Sequence, residues 1–400
     1  PLAVTPDGRS IFFATPNDSG FVELWTWPLA GGTGRRLASY SRDSYAPSVA
    51  RDGTILFKVQ DYWTEVAVMP SGGGPAIVRT AFQAETPSWN WSGTHLGITY
   101  GTWRRATDDF HYPDIAQDAG IIAATGAAPA TEPESVVQAS VSEDQGLTWS
   151  PNGKWIAFHS HQQGSDDVWL RPAAADTPLT RISRLGRGAE VGWPRWSADG
   201  RWVVFDGDAN FGGRSALWVI GVDQDRGRVR VPARRVRLDG FVDDVLHAEW
   251  LGGSDEIIFS AFRAPDTHTL YRVSRQGGEP SLIHEYTSTQ RSDGFGVSTD
   301  GSWVIYPAPD TSGVLQLNRL PTSGGGRAEP LTSDPVNKTQ PAISPDGRSV
   351  AFTRWRYSAT FYTLKPGGTP YHLPAYGTNG FGAPISYPIG GSAPIKFLTK

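Results

Sequence analysis

The chain has 400 residues, 19% of them charged, with 16 Trp, 46 Gly and 31 Pro, and a formal net charge of -4. That balance offers no global cationic field, which argues against a nucleic-acid backbone as the main partner. No stretch reaches the roughly 18 apolar residues of a membrane span, and the absence of cysteine excludes disulfides, thiolate metal sites and thiol nucleophiles.

Taken from the N-terminus, one unit recurs: an apolar or aromatic residue, a Ser-Pro-Asp-Gly turn or a relative of it, then a short β-branched and aromatic run. The copies read AVTPDGRSIFF, SVARDGTILF, SWNWSGTHLGI, TWSPNGKWIAF, RWSADGRWVVF, EWLGGSDEIIF, GVSTDGSWVIY and AISPDGRSVAF. Their turn glycines are Gly8, Gly53, Gly93, Gly153, Gly200, Gly253, Gly301 and Gly347. Each turn joins two strands as a tight hairpin, because Gly adopts positive φ without steric cost. A third run follows, as in VELWTW, TEVAVM, DVWLRP, ALWVIGV and TFYTL, and a brief fourth, as in RRLA and TRIS. Four antiparallel strands per unit predict an all-β, eight-bladed β-propeller, with seven blades as the alternative if the weak third or sixth copy is not a blade of its own. One such blade cannot bury both faces, whereas packed blades bury each other's, so most Trp are expected in the core.

The units WSPNGKWIAFHSHQQGSDDVWL and ISPDGRSVAFTRW resemble TolB-like propeller repeats, relatives of the WD-repeat, over almost the whole chain. The resemblance implies the architecture. Its members include periplasmic binding proteins, propeller halves of peptidases and stand-alone lyases, so it does not choose a function. Copies two, three and six depart from the motif. Residues 1–375 are read as a single propeller domain. Residues 376–400, Gly- and Pro-rich and ending in APIKFLTK, are read as a tail that closes the ring or adds to the edge of a second copy, making a homo-assembly. The chain begins at Pro1 and is read as a mature chain or excised domain whose leader is gone, periplasmic or extracellular.

Chemistry is expected where the first strand of each unit begins and the second ends. Blade four places His159 and His161 there, and blade five Asp206 and Asp208, each pair on one strand face through its period of two. These four are the candidate metal set: imidazole with carboxylate suits Zn, Mn or Fe, and a carboxylate subset suits Ca. Glu143, Glu190 and Asp244 precede the first strands of blades four to six. His247 precedes Trp250, and Trp193 precedes blade five. An insertion in blade three, TWRRATDDFHYPDIAQD, carries Trp103, Arg105, His111 and Tyr112. Together these form an acid- and His-rich sector over blades three to six, absent from blades one, seven and eight. Capping of turns by Asp or Glu competes with this reading, and so does an insertion folded back as a lid.

The sector predicts a module that binds a protein or saccharide partner, aromatic faces stacking on sugar and Arg pairing with acid. The enzyme alternative is a metal-assisted polysaccharide lyase or hydrolase with His159, His161, His247 or Tyr112 as acid or base. A third reading is the propeller portion of a larger hydrolase, or a polymerising subunit. A G-x-S-x-G elbow and an H-E-x-x-H motif are both missing from the sequence.

Overall fold

A computed structural model describes residues 2–16, 22–38, 43–101, 118–136, 144–161, 165–174, 179–186, 188–209, 214–263, 265–288, 294–365 and 371–372. Trp103, Arg105, His111, Tyr112 and Glu143 lie outside the described residues, as does the predicted tail at 376–400. The described residues divide into two compact units, the smaller drawn from residues 2–63 and 356–372 and the larger from residues 64–101 and 118–355.

The described residues build eight four-stranded antiparallel groups, as many as the turn glycines imply. Sheet one holds Leu2–Val4, Ser10–Pro16, Val22–Pro28 and Arg35–Ala38. Sheets three, four, five, six and seven follow in chain order over residues 84–135, 144–181, 190–235, 244–287 and 296–330. Sheets two and eight share two 16-residue strands, Ile55–Pro70 and Ser349–Leu364. In sheet two these carry Asp43–Val49 and Tyr371–His372 on their outer sides. In sheet eight they carry Ile77–Val78 and Asn337–Ile343.

The sequence reading separates ILF from TEVAVM as two strands of one blade, and the structure instead runs them together. The physical reason is local: KVQDYW, between them, offers no Gly, Pro or Asn to reverse the chain. The same holds for TRWRYSAT in the second long strand.

The turn motif explains itself atom by atom. In sheet four, Ser150 Oγ donates to Asn152 Oδ1 at 2.8 Å, Asn152 Oδ1 accepts Lys154 N–H at 3.0 Å, and Ser150 Oγ accepts Trp155 N–H at 3.0 Å. Gly153 closes the turn at φ +69°. Ser197-Asp199, Ser298-Asp300 and Ser344-Asp346 repeat the pattern. In one of them the Ser298 hydroxyl and the Ser302 amide and hydroxyl pull Asp300 down to a pKa of about 2.

Within the larger unit the innermost strands are Ala84–Trp89, Asp144–Trp149, Arg195–Trp196, Asp244–Trp250, Gly296–Val297 and Asn337–Ile343. Each touches the next and the last touches the first, so six sheets close a circuit. The core is correspondingly divided into wedges between neighbours. Val204 and Leu217 of sheet five meet Trp250 and Phe259 of sheet six, and Ile305 and Leu317 of sheet seven meet Met69 and Phe352 of sheet eight. Val66 and Ala351 of sheet eight meet Leu96 and Ile98 of sheet three, which completes the circuit. The motif's last aromatic fills these wedges: Phe158, Phe205, Phe259 and Phe352 are each fully buried, worth about 1.5–3 kcal/mol apiece in transfer alone. In the smaller unit Phe12, Leu24, Phe57 and Leu364 form a separate core.

Candidate functional site

The six-sheet circuit has two ends. At the turn end lie the Asp-Gly hairpins. At the open end the first strand begins and the second finishes, as the pairs Ala84–Tyr100, Asp144–Ser160, Glu190–Asp208, Asp244–Phe262 and Asn337–Trp355 show.

Between the ends, the innermost strands of sheets three, four, six and eight slip register at a bulge. Left-handed residues mark this level: Thr86 at φ 52°, Gly146 at 67°, Gly294 at 77° and Gln340 at 54°. Such a conformation costs a β-branched residue about 1–3 kcal/mol. At Thr86 it is offset by Gln340 Oε1 and Thr353 Oγ1, which accept its backbone N–H at 3.0 and 3.1 Å. Sheet five differs, because Gly192-Trp193-Pro194 interrupts its inner strand and sends an indole inward. A Cβ at Gly146 would lie 2.6 Å from Trp193 Cδ1, and one at Gly294 3.5 Å from Trp193 Cζ3. The ring therefore reaches from sheet four to sheet seven. It also meets His247 edge-on, centroids 5.4 Å apart, and Phe295 meets the imidazole's other side at 5.0 Å.

His247 is buried, its Nε2 3.5 Å from Glu249 Oε1. Burial pushes its pKa down, and the Arg195 charge adds to this, while the Glu249 contact opposes it. Glu249 is raised by burial, but Arg195 and His247 outweigh that and hold it below the usual carboxylate range. Arg195 Nε donates to Glu249 Oε1 at 2.5 Å and Nη1 to Pro194 O at 2.9 Å. On the turn side of this pair a cavity of about 140 Å³ is lined by residues of all six sheets, including Trp89, Trp149, Trp196 and Trp250.

At the open end stand Glu190, Asp208 and Asp244 of sheets five and six, at their strand ends. Asp166 Oδ1 sits 3.5 Å from His159 Nδ1, and its Oδ2 accepts Val191 N–H at 3.2 Å, linking sheet four to sheet five. Val191 is paired with Gly207, between Asp206 and Asp208. His159 and the Asp206-Asp208 strand end thus belong to the same end of the circuit. Asp118 of sheet three is pushed up by burial and by the charge of Asp144 in sheet four. Asp167 is buried for a structural reason: Ser165 Oγ, Ser183 Oγ and the Arg181 guanidinium satisfy it.

The candidate metal set does not converge. Among the described residues, no three His, Asp or Glu stand where they could hold an ion. His159 is buried beside Asp166 while His161 is exposed. The Asp206 carboxylate packs on the Cα of Gly192, and Asp208 is buried across from Glu190. Glu190 and Asp244 are exposed on the open rim, whereas Trp193 and His247 lie deeper on the axis. Asp166, Arg195 and Glu249 are not among the residues singled out in the sequence. A signal existed for the last two: the residue before the motif's aromatic or aliphatic anchor is Ser88, Thr148, Arg195, Glu249, Gly296 and Ala342 in the six sheets, charged in sheets five and six alone.

The structure is similar to that of the putative TolB from Agrobacterium tumefaciens at 16% identity and a TM-score of 0.54, covering 74% of this chain and 99% of that one. TolB from Acinetobacter baumannii matches at 13% identity and TM-score 0.44, over 86% of this chain and 78% of that one. A puromycin-hydrolyzing peptidase of Mycobacterium tuberculosis matches at 13% and 0.44, over 92% of this chain and 51% of that one, so this chain spans about half its length. No family model and no curated relative matches the sequence. The likeness is one of fold: an all-β, TolB-like propeller architecture.

Proposed function

We propose that the chain is an extracytoplasmic binding module that takes a cationic segment of a partner, protein or glycan, at the open end of sheets three to six. The observation that carries this reading is the pair of exposed acids Glu190 and Asp244, which neighbouring sheets five and six place at the same open end. Asp118 and Asp144 add negative charge behind the rim, while Arg181, the neighbouring cation of sheet four, is tied to Asp167. A cationic partner would pair with these exposed acids and gain affinity that weakens with salt. A cysteine-free chain suits an oxidising compartment without free thiols.

The test is titration calorimetry with hexalysine and with a fully deacetylated chitosan hexamer, at low and physiological salt. The proposal expects one of the two to bind, with salt sensitivity, and the Glu190→Lys/Asp244→Lys variant to bind it at least about tenfold more weakly. Binding that ignores the charge reversal, or none by either probe, removes the assignment.

A further inference from the structure

At the turn end, a groove of about 700 Å³ runs between sheets three and eight. Trp89, Trp91 and Pro345 line both this groove and the axial cavity, so the two adjoin. Its size lies within the range of ligand pockets. The indoles are fixed rather than loose: Trp89 Nε1 donates to Ala342 O at 2.9 Å and Trp91 Nε1 to Trp149 O at 3.0 Å. With their N–H groups occupied, they offer apolar ring surface.

The groove's polar group is Arg79, which is 8% exposed. Its Nη1 donates to Gly126 O at 2.9 Å, while its buried Nε has no partner. The guanidinium thus puts an incompletely hydrogen-bonded positive charge on the groove wall, and anionic acceptors suit such a group best. Arg348 adds a second, exposed guanidinium along the groove. Asp346, also on the lining, is engaged by Ser344 Oγ at 2.6 Å and by the Arg348 N–H at 3.0 Å, which hold its carboxyl below the usual range.

We propose that this groove binds an anionic oligosaccharide, its sugar rings on Trp89 and Trp91 and its carboxylates on Arg79 and Arg348. Flat indole faces suit the apolar faces of pyranose rings, and two guanidinia on one wall suit a ligand that carries more than one acid. An extended acidic peptide fits less well, because Pro70, Pro75 and Pro345 on the lining present no N–H for backbone pairing. The site is separate from the open-end rim and does not depend on it.

Hexagalacturonate, cellohexaose and hexaglutamate are the probes, read by calorimetry and by Trp fluorescence. Hexagalacturonate is expected to bind with salt sensitivity, and cellohexaose about tenfold more weakly or not at all. Arg79→Gln should weaken uronate binding about tenfold and Arg348→Gln several-fold. Ser92→Trp, which fills the groove from its exposed lip, should abolish binding. Should Arg79→Gln fail to fold, the two surface variants still decide the matter. Absence of uronate binding, undiminished binding by Ser92→Trp, or tighter binding of hexaglutamate than of hexagalacturonate would each overturn the proposal. Because Glu190→Lys/Asp244→Lys lies at the other end, its failure and this one are read separately.

Discussion

The two ends of the six-sheet circuit are made from the same strands, yet they differ in chemistry. The turn end repeats one device, a Ser hydroxyl bonded to the side-chain oxygen of an Asp or Asn around a left-handed Gly, and sets Trp side chains inside it. The open end repeats little: sheets three to six bring Asp118, Asp144, Asp166, Glu190 and Asp244, while sheet eight brings Asn337 and the buried Lys338, which pairs with Asp334. Hairpin closure constrains one end in every sheet, so its residues report on folding. The other end is constrained only by what each sheet meets, so variation there carries information about partners.

The sharpest way to break this contrast is to ask whether all open-end acids are alike. Asp167→Ala should cost about 3–5 kcal/mol in chemical denaturation, because it leaves the half-buried Arg181 and two buried hydroxyls without this acceptor. Exposed Glu190→Gln should change stability by less than about 0.5 kcal/mol. If the two costs were equal, the division of these acids into structural and binding groups would fail.

Trp193→Ala examines the boundary between the ends. It empties the axis between Gly146, His247 and Gly294 and should cost about 3 kcal/mol. An unchanged denaturation midpoint would mean that the indole is not packed across the axis.

Smaller effects come from titration. His247 has a folded pKa below its ordinary 6.5, so the unfolded chain takes up its proton first as pH falls. Stability is therefore undiminished above pH 6.5 and is lost as pH drops below it. His247→Phe should flatten the stability profile in that acid window. Asp118 behaves oppositely: its folded pKa lies above 3.8, so stability declines as pH rises from 3.8 through the folded value. Asp118→Asn should be slightly more stable than the parent at pH 7, by a few tenths of a kcal/mol after solvent screening, and no more stable below pH 3.8.

How much of this was legible follows the same division. The turn glycines and the terminal aromatic of each motif specify the hairpins and the wedge cores through local rules, and Gly153 and Phe158 do what their patterns imply. The period also yields the number of four-stranded groups. It does not tell which groups share a circuit, because that depends on two strands, Ile55–Pro70 and Ser349–Leu364, continuing where a turn was expected. The sequence suggests Trp193 as a ligand-stacking residue, whereas its reach across the axis depends on glycines in two other sheets, far away in the chain. Arg79 gives no sequence signal at all. It lies just beyond the short strand Ile77–Val78, and its role as a groove residue arises only where sheets three and eight meet.

Hydrogen-exchange mass spectrometry with each charged probe tests the central claim, that one circuit carries two chemically opposite ends. Bound hexalysine should protect peptides around 190–191 and 244–247 and leave 89–93 and 344–349 unchanged. Bound hexagalacturonate should do the reverse. Protection of the same peptides by both probes would contradict the account.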